Sequence, residues 1–190
     1  MCGRYYIEID KNELEEICTQ IQQNQADYEQ LSFNMESGEA FPTNVVPVRV
    51  GDREYKAMKW GFMGYDGKPI INARSETTLT KPTFKRPMQV GRCLIPASGY
   101  YEWRKANGKK QKYAFSLPGS NVMYMAGCYR IEENSALGSF VILTRAASET
   151  LKDIHERMPV IIPDSKIHDW LYNGSDAISA AVGELAFQIA

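Results

Sequence analysis

The chain has 190 residues, a formal net charge of −1, 44% hydrophobic residues and 24% charged residues. This length suits one ordinary domain with a real core, so we expect a single domain over residues 1–190. No apolar run approaches the roughly 18 residues that span a bilayer, and the first residues lack the basic and apolar segments of a secretion signal. We therefore expect a soluble cytoplasmic protein with no membrane partner.

The charges are unevenly distributed along the chain. Residues 1–50 contain nine acidic and three basic residues, whereas residues 77–112 contain nine basic residues and one acidic residue. Such a basic block is typical of a polyanion site, although the lysines beside the turn at 107–108 also fit a solvated hairpin. The basic residues that alternate with proline and phenylalanine, a mixture suited to phosphates and stacking, are Lys81, Lys85, Arg86 and Arg92.

The first part of the chain predicts short strands and one helix. A strand through Tyr5 and Ile7 precedes an amphipathic helix with Asp10 as its N-cap. The apolar face of this helix consists of Leu14, Ile17, Cys18 and Ile21. Residues 24–40 predict a long loop, and the alternating segments that follow, 45–50 and 55–62, predict a hairpin.

The second part favours a sheet. Ser75 or Thr77 is expected to cap a short helix. The strands expected from Arg92 onward cover residues 93–96, 99–103, 113–117, 122–130, 140–144 and 158–162. One or two helical turns are expected at 148–155, a helix after Pro163, and a weak helix or tail after Gly174. Together these elements predict an α+β fold, with a mostly antiparallel barrel-like β core and peripheral helices.

Cys2 directly follows the initiator methionine. Its small side chain favours removal of Met1, which would leave Cys2 with a free α-amine and a thiol, whose reference pKa values are about 7.7–8.0 and about 8.5. This pair can condense with an aldehyde to an imine and close to a thiazolidine, but Cys2 can equally be a small apolar residue that starts a strand. The other cysteines, which lack zinc-site spacing and are expected to be reduced and mostly buried, are Cys18, Cys93 and Cys128.

Glu102 and His155 are candidate proton carriers. Glu102 lies between Tyr101 and Trp103 in a predicted strand, so it faces the other side of the sheet. On an interior face its pKa would be raised and it could exchange protons near neutral pH; on an outer face it would be an ordinary solvated carboxylate. His155 precedes a corner at Pro159 and can move protons near pH 7, or it is simply a surface histidine.

Four motifs occur in an order and spacing that match one family. They are Met1-Cys2-Gly3-Arg4, Asn72-Ala73-Arg74-Ser75-Glu76-Thr77, Arg92 to Ala97 continuing to Gly99-Tyr100-Tyr101-Glu102-Trp103, and His155-Glu156-Arg157-Met158-Pro159. On these motifs the chain resembles the SOS response-associated peptidase (SRAP) family. Pro42-Thr43, Trp60-Gly61-Phe62 and residues 81–84 extend the resemblance over about residues 2–172. Residues 24–40 and the tail after Trp170 carry none of it, and the chain is slightly short for the family at its C-terminus.

The resemblance implies a substrate and a set of site residues. The substrate would be an abasic site in single-stranded DNA, which family members shield by a covalent thiazolidine link. Cys2 would be the catalytic residue, and three residues would complete the site: Asn72 would orient its amine, His155 would move a proton at the sugar oxygen, and Glu102 would handle protons at the amine and thiol. The expected DNA contacts, through phosphates or stacked bases, are Arg4, Trp60, Phe62, Arg74, Lys81, Phe84 and Arg157.

No cofactor or metal is expected. The expected partner is single-stranded DNA with abasic sites, bound by a monomer that associates with the nucleoid when on DNA. Two other functions stay open. Cys2, His155 and Glu102 could act as a cysteine peptidase, including in self-processing, or the chain could be a non-catalytic single-stranded DNA-binding domain. The sequence also leaves open whether an AP-lyase activity accompanies the crosslink.

Overall fold

The computed structural model describes residues 2–8, 12–23, 38–106, 108–132, 135 and 137–190, and consists mainly of β-strands. The strands of this part are β1 (Tyr5–Tyr6), β2 (Glu39–Ala40), β3 (Val45–Arg49), β4 (Tyr55–Trp60), β5 (Phe62–Met63), β6 (Pro69–Ile70), β7 (Asn72–Arg74), β8 (Arg92–Ala97), β9 (Gly99–Ala106), β10 (Lys109–Ser116), β11 (Met123–Ile131), β12 (Gly138–Ala146), β13 (Arg157–Pro159), β14 (Ile161–Ile162) and β15 (Ala186–Ile189). The helices are α1 (Asn12–Gln23) and α2 (Pro82–Val90), and short 3₁₀ or π-helical turns cover Ser75–Thr77, Asp164–Lys166, Asp169–Asn173 and Ser175–Ala180.

Five strands close into a barrel. β12, β4, β3, β8 and β11 pair in this order, and β11 pairs with β12 to complete the ring. The β12–β4 pair is parallel and the other four pairs are antiparallel. Consecutive residues of β12 from Phe140 to Leu143 have no exposed surface. Both faces of this strand are therefore covered, which explains its continuous apolar run.

A second sheet carries the N-terminal strand to the edge of this barrel. Its order is β15-β10-β9-β1-β2, and β9 continues from β8 across Ser98. Tyr5 pairs with Tyr100, and Tyr6 pairs with Gly99. A Cβ atom at Gly99 would lie 2.3 Å from the carbonyl oxygen of Phe115. Glycine is needed at this position because no larger residue allows the backbones to approach so closely.

The two α-helices each bury one side. In α1, Ile17 and Ile21 are buried and lie one turn apart, as the apolar spacing predicts. In α2, Pro82 occupies the first turn, where a missing N–H costs nothing. Phe84 and Met88 of α2, also one turn apart, are buried. Each helix therefore packs through a single apolar stripe.

The expected α+β, barrel-like architecture is confirmed, but several local expectations are wrong. Helix α2 was not expected, because two prolines and several cations obscure its apolar spacing. The turn at Ser75–Thr77 begins after Arg74 without a side-chain cap, and the end of the C-terminal segment forms β15 against β10. Two other expectations hold: the N–H groups of Lys152 and His155 donate to the carbonyl oxygens of Ser148 and Leu151 in helical turns, and a 3₁₀ turn follows Gly174. The expected N-cap at Asp10, the side chain of Cys18 and most of the expected 24–40 loop lie outside the described residues. No helix in the described ranges is long and apolar enough to cross a membrane.

Candidate active site at Cys2

Four polar residues from distant parts of the chain meet beside the barrel. Cys2 precedes β1, Asn72 begins β7, Glu102 lies in β9, and His155 lies in the turn before β13. β7 reaches this place because it pairs in parallel with β12, and β13 reaches it because it pairs with the same end of β12. The topology thus assembles the four residues that the sequence predicted as catalytic.

Cys2 is held by main-chain contacts and is buried. Its carbonyl oxygen accepts a hydrogen bond of 2.8 Å from Asn72 Nδ2, and its Sγ lies 4.0 Å from the carbonyl oxygen of Arg4. Burial, and then the negative charge of Glu102, raise the pKa of the Cys2 thiol far above its ordinary value. The Oδ1 atom of Asn72 is buried and has no hydrogen-bond partner within the described part of the chain. The site therefore holds a neutral thiol beside an amide acceptor that is open to a further donor.

Glu102 is buried on the inner side of β9, with 4% of its surface exposed. Its neighbours Tyr101 and Trp103 are only partly buried, as the alternation of a strand requires. Burial raises the pKa of the Glu102 carboxyl. A carboxyl of this kind retains a proton to higher pH than a solvated one, so it can serve as an acid and as a base.

The ring of His155 faces Glu102. Its Nε2 lies 4.0 Å from Glu102 Oε2. Its Nδ1 lies 3.0 Å from the backbone N–H of Arg157, which donates to it, and 3.2 Å from the carbonyl oxygen of the same residue. Nδ1 can accept from this N–H or, in the other tautomer, donate to this carbonyl oxygen, so the main chain of Arg157 holds the ring through Nδ1 in both cases. The Nε2 atom of His155 is therefore directed towards Glu102.

Arg157 is engaged within the protein. Its guanidinium binds the carboxylate of Glu76 through two hydrogen bonds of 2.7 and 2.9 Å, and it donates at 2.7 Å to the carbonyl oxygen of Thr144. This pairing lowers the pKa of Glu76 to about 2. The use of Arg157 as a phosphate contact stays a prediction, and in this structure its Nη groups are bound to Glu76 and Thr144.

The residues expected to stack on DNA bases are buried in the core. Trp60 and Phe62 have no exposed surface, and Phe84 is 6% exposed. Trp60 donates its indole N–H to the carbonyl oxygen of Ile71 at 3.0 Å. Three large rings that fill the core cannot also stack on nucleobases in this conformation. The apolar motif around Trp60 is therefore a packing signal.

The other expected cations lie at the surface. Arg74 and Lys81 are exposed. The guanidinium of Arg4 lies over the rings of Phe41 and Trp103, at 4.4 and 5.1 Å. Arg4 also lies 3.6 Å from Glu39. Their use as phosphate contacts stays a prediction.

Sequence reasoning missed a second cation beside Arg4. Lys112 lies 3.6 Å from the centre of the Tyr101 ring and 2.9 Å from Glu39. Strand pairing places Lys112 opposite Trp103. The one relevant signal in the sequence was the alternation of β9, which predicts that Tyr101 and Trp103 share one face of the sheet. The acidic partner, Glu39, belongs to a segment that was expected to be a loop.

Two surface grooves in the described part of the chain lie away from Cys2. These grooves, of about 670 and 770 Å³, adjoin the β5–β6 hairpin and share Met63, Tyr65 and Arg130. Neither groove is lined by Cys2 or its polar neighbours. No group of three or more His, Cys, Asp or Glu side chains in the described ranges is arranged to hold a metal ion.

Comparison with known proteins points to one family. A model of the family described as SOS response associated peptidase (SRAP) matches residues 1–188. The abasic site processing protein YobE of Bacillus subtilis is 40% identical over 109 residues, which cover 55% of this chain and 50% of that protein. The abasic site processing protein YedK of Escherichia coli is 34% identical over 116 residues, covering 59% and 52%. The matches thus span about half the length of these curated relatives.

Solved structures share the fold. A crystal structure of a protein from Bacteroides thetaiotaomicron has a TM-score of 0.78 at 18% identity and covers 99% of this chain and 91% of that one. A protein from Bordetella bronchiseptica has a TM-score of 0.76 at 22% identity, with coverage of 100% and 99%. At these identities the likeness establishes the architecture alone.

Proposed function

Because the chain belongs to the SOS response-associated peptidase family, we propose that it processes abasic sites in single-stranded DNA by forming a covalent crosslink through Cys2. The observation that carries this proposal is the meeting of Asn72, Glu102 and His155 around Cys2, with Asn72 bound to the Cys2 carbonyl. The names of these relatives, abasic site processing proteins, agree with it.

The proposed reaction uses both nucleophiles of Cys2. The α-amine adds to the aldehyde carbon of the ring-opened sugar, and loss of water gives an imine. The thiol then adds to the imine carbon, its proton ends on the nitrogen, and a five-membered thiazolidine forms. No external oxidant or cofactor is needed. The amine is free only after Met1 has been removed, so the mass of the active protein should lack one methionine.

The surrounding residues supply orientation and protons. Asn72 fixes the Cys2 main chain and so aims the amine. Glu102, whose pKa is raised by burial, gives a proton to the departing water and takes one from the buried thiol, which needs a base to react. His155 assists opening of the sugar ring. Elimination from the imine, before the thiol closes on it, would give the associated AP-lyase activity.

The DNA strand would be held by exposed cations. Arg4, Arg74 and Lys81 are the proposed phosphate contacts, since their charged groups reach the surface. Tyr101 and Trp103, which are half-buried on the outer face of β9, are available for base contacts. A single strand suits such a surface because a duplex hides the lesion inside its stack.

A crosslinking assay tests the proposal. Protein lacking Met1 is incubated with single-stranded DNA that carries one abasic site, and the mixture is then heated in denaturant. We expect a stable adduct without reductant from the native protein. We expect none from Cys2→Ser unless borohydride is added, because serine stops at the imine. Cys128→Ser, which also alters a fully buried free cysteine, is the matched control and should retain the adduct.

The other outcomes identify other functions. Cleavage of peptide substrates without an adduct would replace the proposal with the cysteine peptidase in which Cys2 attacks a carbonyl. Tight binding to single-stranded DNA with neither product would indicate a non-catalytic binding domain. Strand cleavage products in the same gel report the lyase branch.

A further inference from the structure

An ion pair joins the two segments that carry Asn72 and His155. Glu76 lies in the 3₁₀ turn that directly follows β7, the strand of Asn72, and Arg157 begins β13, two residues after His155. The paired hydrogen bonds between Glu76 and Arg157 are 2.7 and 2.9 Å long. The side chain of Arg157 is 11% exposed and that of Glu76 is 50% exposed. The pair therefore lies at the edge of the site and ties its two segments together.

The main chain of Arg157 controls the ring of His155. Both the N–H and the carbonyl oxygen of Arg157 lie within 3.2 Å of His155 Nδ1, and the N–H donates to it. The side chain of Arg157 is anchored a second time by the carbonyl oxygen of Thr144 in β12. A displacement of this arginine would thus rotate the ring and move Nε2 away from Glu102.

We propose that Glu76 is a positioning residue for the reaction at Cys2. By clamping Arg157, it keeps the Nδ1 of His155 as an acceptor and holds the protonated Nε2 towards Glu102. It also fixes the distance between this histidine and the strand of Asn72. The proposal rests on the proposed function, because the crosslink is the reaction that this geometry serves.

The geometry favours this role over a masked phosphate site. The Nη groups of Arg157 are bound to Glu76 and Thr144, and its Nε is buried with no hydrogen-bond partner among the described residues. A DNA phosphate would have to displace a carboxylate that already binds the guanidinium through two hydrogen bonds. If Glu76 only blocked a phosphate-binding site on Arg157, its removal would tighten DNA binding. If it positions His155, its removal leaves binding unchanged and slows the reaction.

A spectroscopic experiment tests the positioning directly and needs no DNA. The chain has two histidines, so long-range ¹H–¹⁵N spectra with a His168→Gln variant assign both rings. At about pH 8, above the reference histidine pKa of about 6.5, we expect the native His155 to show the single Nε2–H tautomer. Glu76→Gln, which keeps the shape but loses the charge, should give averaged Nδ1 and Nε2 shifts. Glu76→Asp should recover part of the native pattern.

Kinetics supply the second measurement. With saturating abasic single-stranded DNA, we expect Glu76→Gln to slow adduct formation about tenfold, less than the roughly 100-fold cost of a 1 Å misplacement. Its DNA dissociation constant should stay within about twofold of the native value. In a His155→Ala background the same substitution should add almost nothing, because coupled residues are not additive. Glu54→Gln removes a comparably exposed carboxylate paired with Lys56 and should change neither measurement.

The outcomes are separable. An unchanged tautomer with a native rate in Glu76→Gln overturns the inference, as does tighter DNA binding by that variant. A rate loss that is equally large in the His155→Ala background would also overturn it. If the native protein forms no adduct, the proposed function fails, and the tautomer spectra still decide whether Glu76 positions His155.

Discussion

Replacing Trp60 by phenylalanine should destabilise the protein without weakening its binding to DNA. The indole has no exposed surface and packs between the rings of Tyr5 and Phe140, whose centres lie 5.2 and 6.4 Å from it. Its N–H donates to the carbonyl oxygen of Ile71. Because that oxygen also accepts from the backbone N–H of Ile142, losing the indole leaves it with one partner.

The size of the effect follows from these contacts. One lost hydrogen bond to a carbonyl that keeps a second partner costs about 0.5–1.5 kcal/mol. The smaller ring of Trp60→Phe removes buried atoms and leaves a small cavity, for about 1–2 kcal/mol more. We expect the free energy of unfolding to fall by about 2–3 kcal/mol. For a chain of this size, that lowers Tm by roughly 4–12 °C.

Denaturant unfolding followed by circular dichroism measures this change, and fluorescence anisotropy measures DNA affinity below the transition. Tyr65→Ala is the matched control, because Tyr65 is an aromatic residue that is fully exposed on the neighbouring hairpin. Its removal should cost less than about 0.5 kcal/mol. A Trp60→Phe protein with native stability and DNA binding weakened tenfold would refute the packing role and restore base stacking.

Three further predictions concern charged residues. The pKa of Glu76 is lowered to about 2, so its ion pair stabilises the fold above about pH 4.5 and stops doing so as the pH falls towards 2. Since the carboxylate is half exposed, Glu76→Gln should lower the free energy of unfolding by about 1 kcal/mol at pH 7, and by less at each pH below 4.5, in urea titrations. A difference in stability between variant and native protein that does not change with pH would contradict the pairing. Arg92 donates to the carbonyl oxygens of Trp170 and Met88 at 2.6 and 2.9 Å. In the same titration Arg92→Met should therefore lose about 2 kcal/mol of stability, with unchanged DNA affinity. Weaker DNA binding at native stability would instead make Arg92 a phosphate contact. Arg74→Glu should weaken binding to single-stranded DNA and reduce the slope of log affinity against log salt concentration by the equivalent of about one or two phosphate contacts. The control Arg53→Glu, at the β3–β4 turn, should change neither. Equal slopes for the native protein and Arg74→Glu would remove Arg74 from the interface.

The sequence identified the residues of the site better than it identified their surroundings. The alternation around Glu102 placed this residue opposite Tyr101 and Trp103 but left open which face is buried, and the structure shows Glu102 on the buried face. The meeting of Cys2 with Asn72 could not be derived from local pattern, because it depends on the parallel pairing of β7 with β12. Pairing between strands 70 residues apart leaves no periodic signal in either strand. Only the family resemblance brought these residues together in advance.

The expectations that failed share a physical cause. Trp60 and Phe62 resemble a stacking pair because aromatic residues serve cores and nucleic acids equally well. Arg92 resembles a phosphate ligand because a guanidinium donates to carbonyl oxygens as well as to phosphate oxygens, and the phosphate contact of Arg157, which here binds a carboxylate, stays a prediction. Composition alone cannot choose between these partners. The choice is made by tertiary contacts, such as the carboxylate of Glu76 and the end of β12.

The burial of Cys2 sets an order of events during synthesis. The residue has no exposed surface once β1 lies between β2 and β9, so its side chain is accessible only while β1 is undocked. The partner residues of β1 in β9, Gly99 and Tyr100, are made about 95 residues later. At about 5–20 residues per second, this leaves roughly 5–20 s. On the proposed function, removal of Met1 within this interval would free the Cys2 amine before the residue is buried.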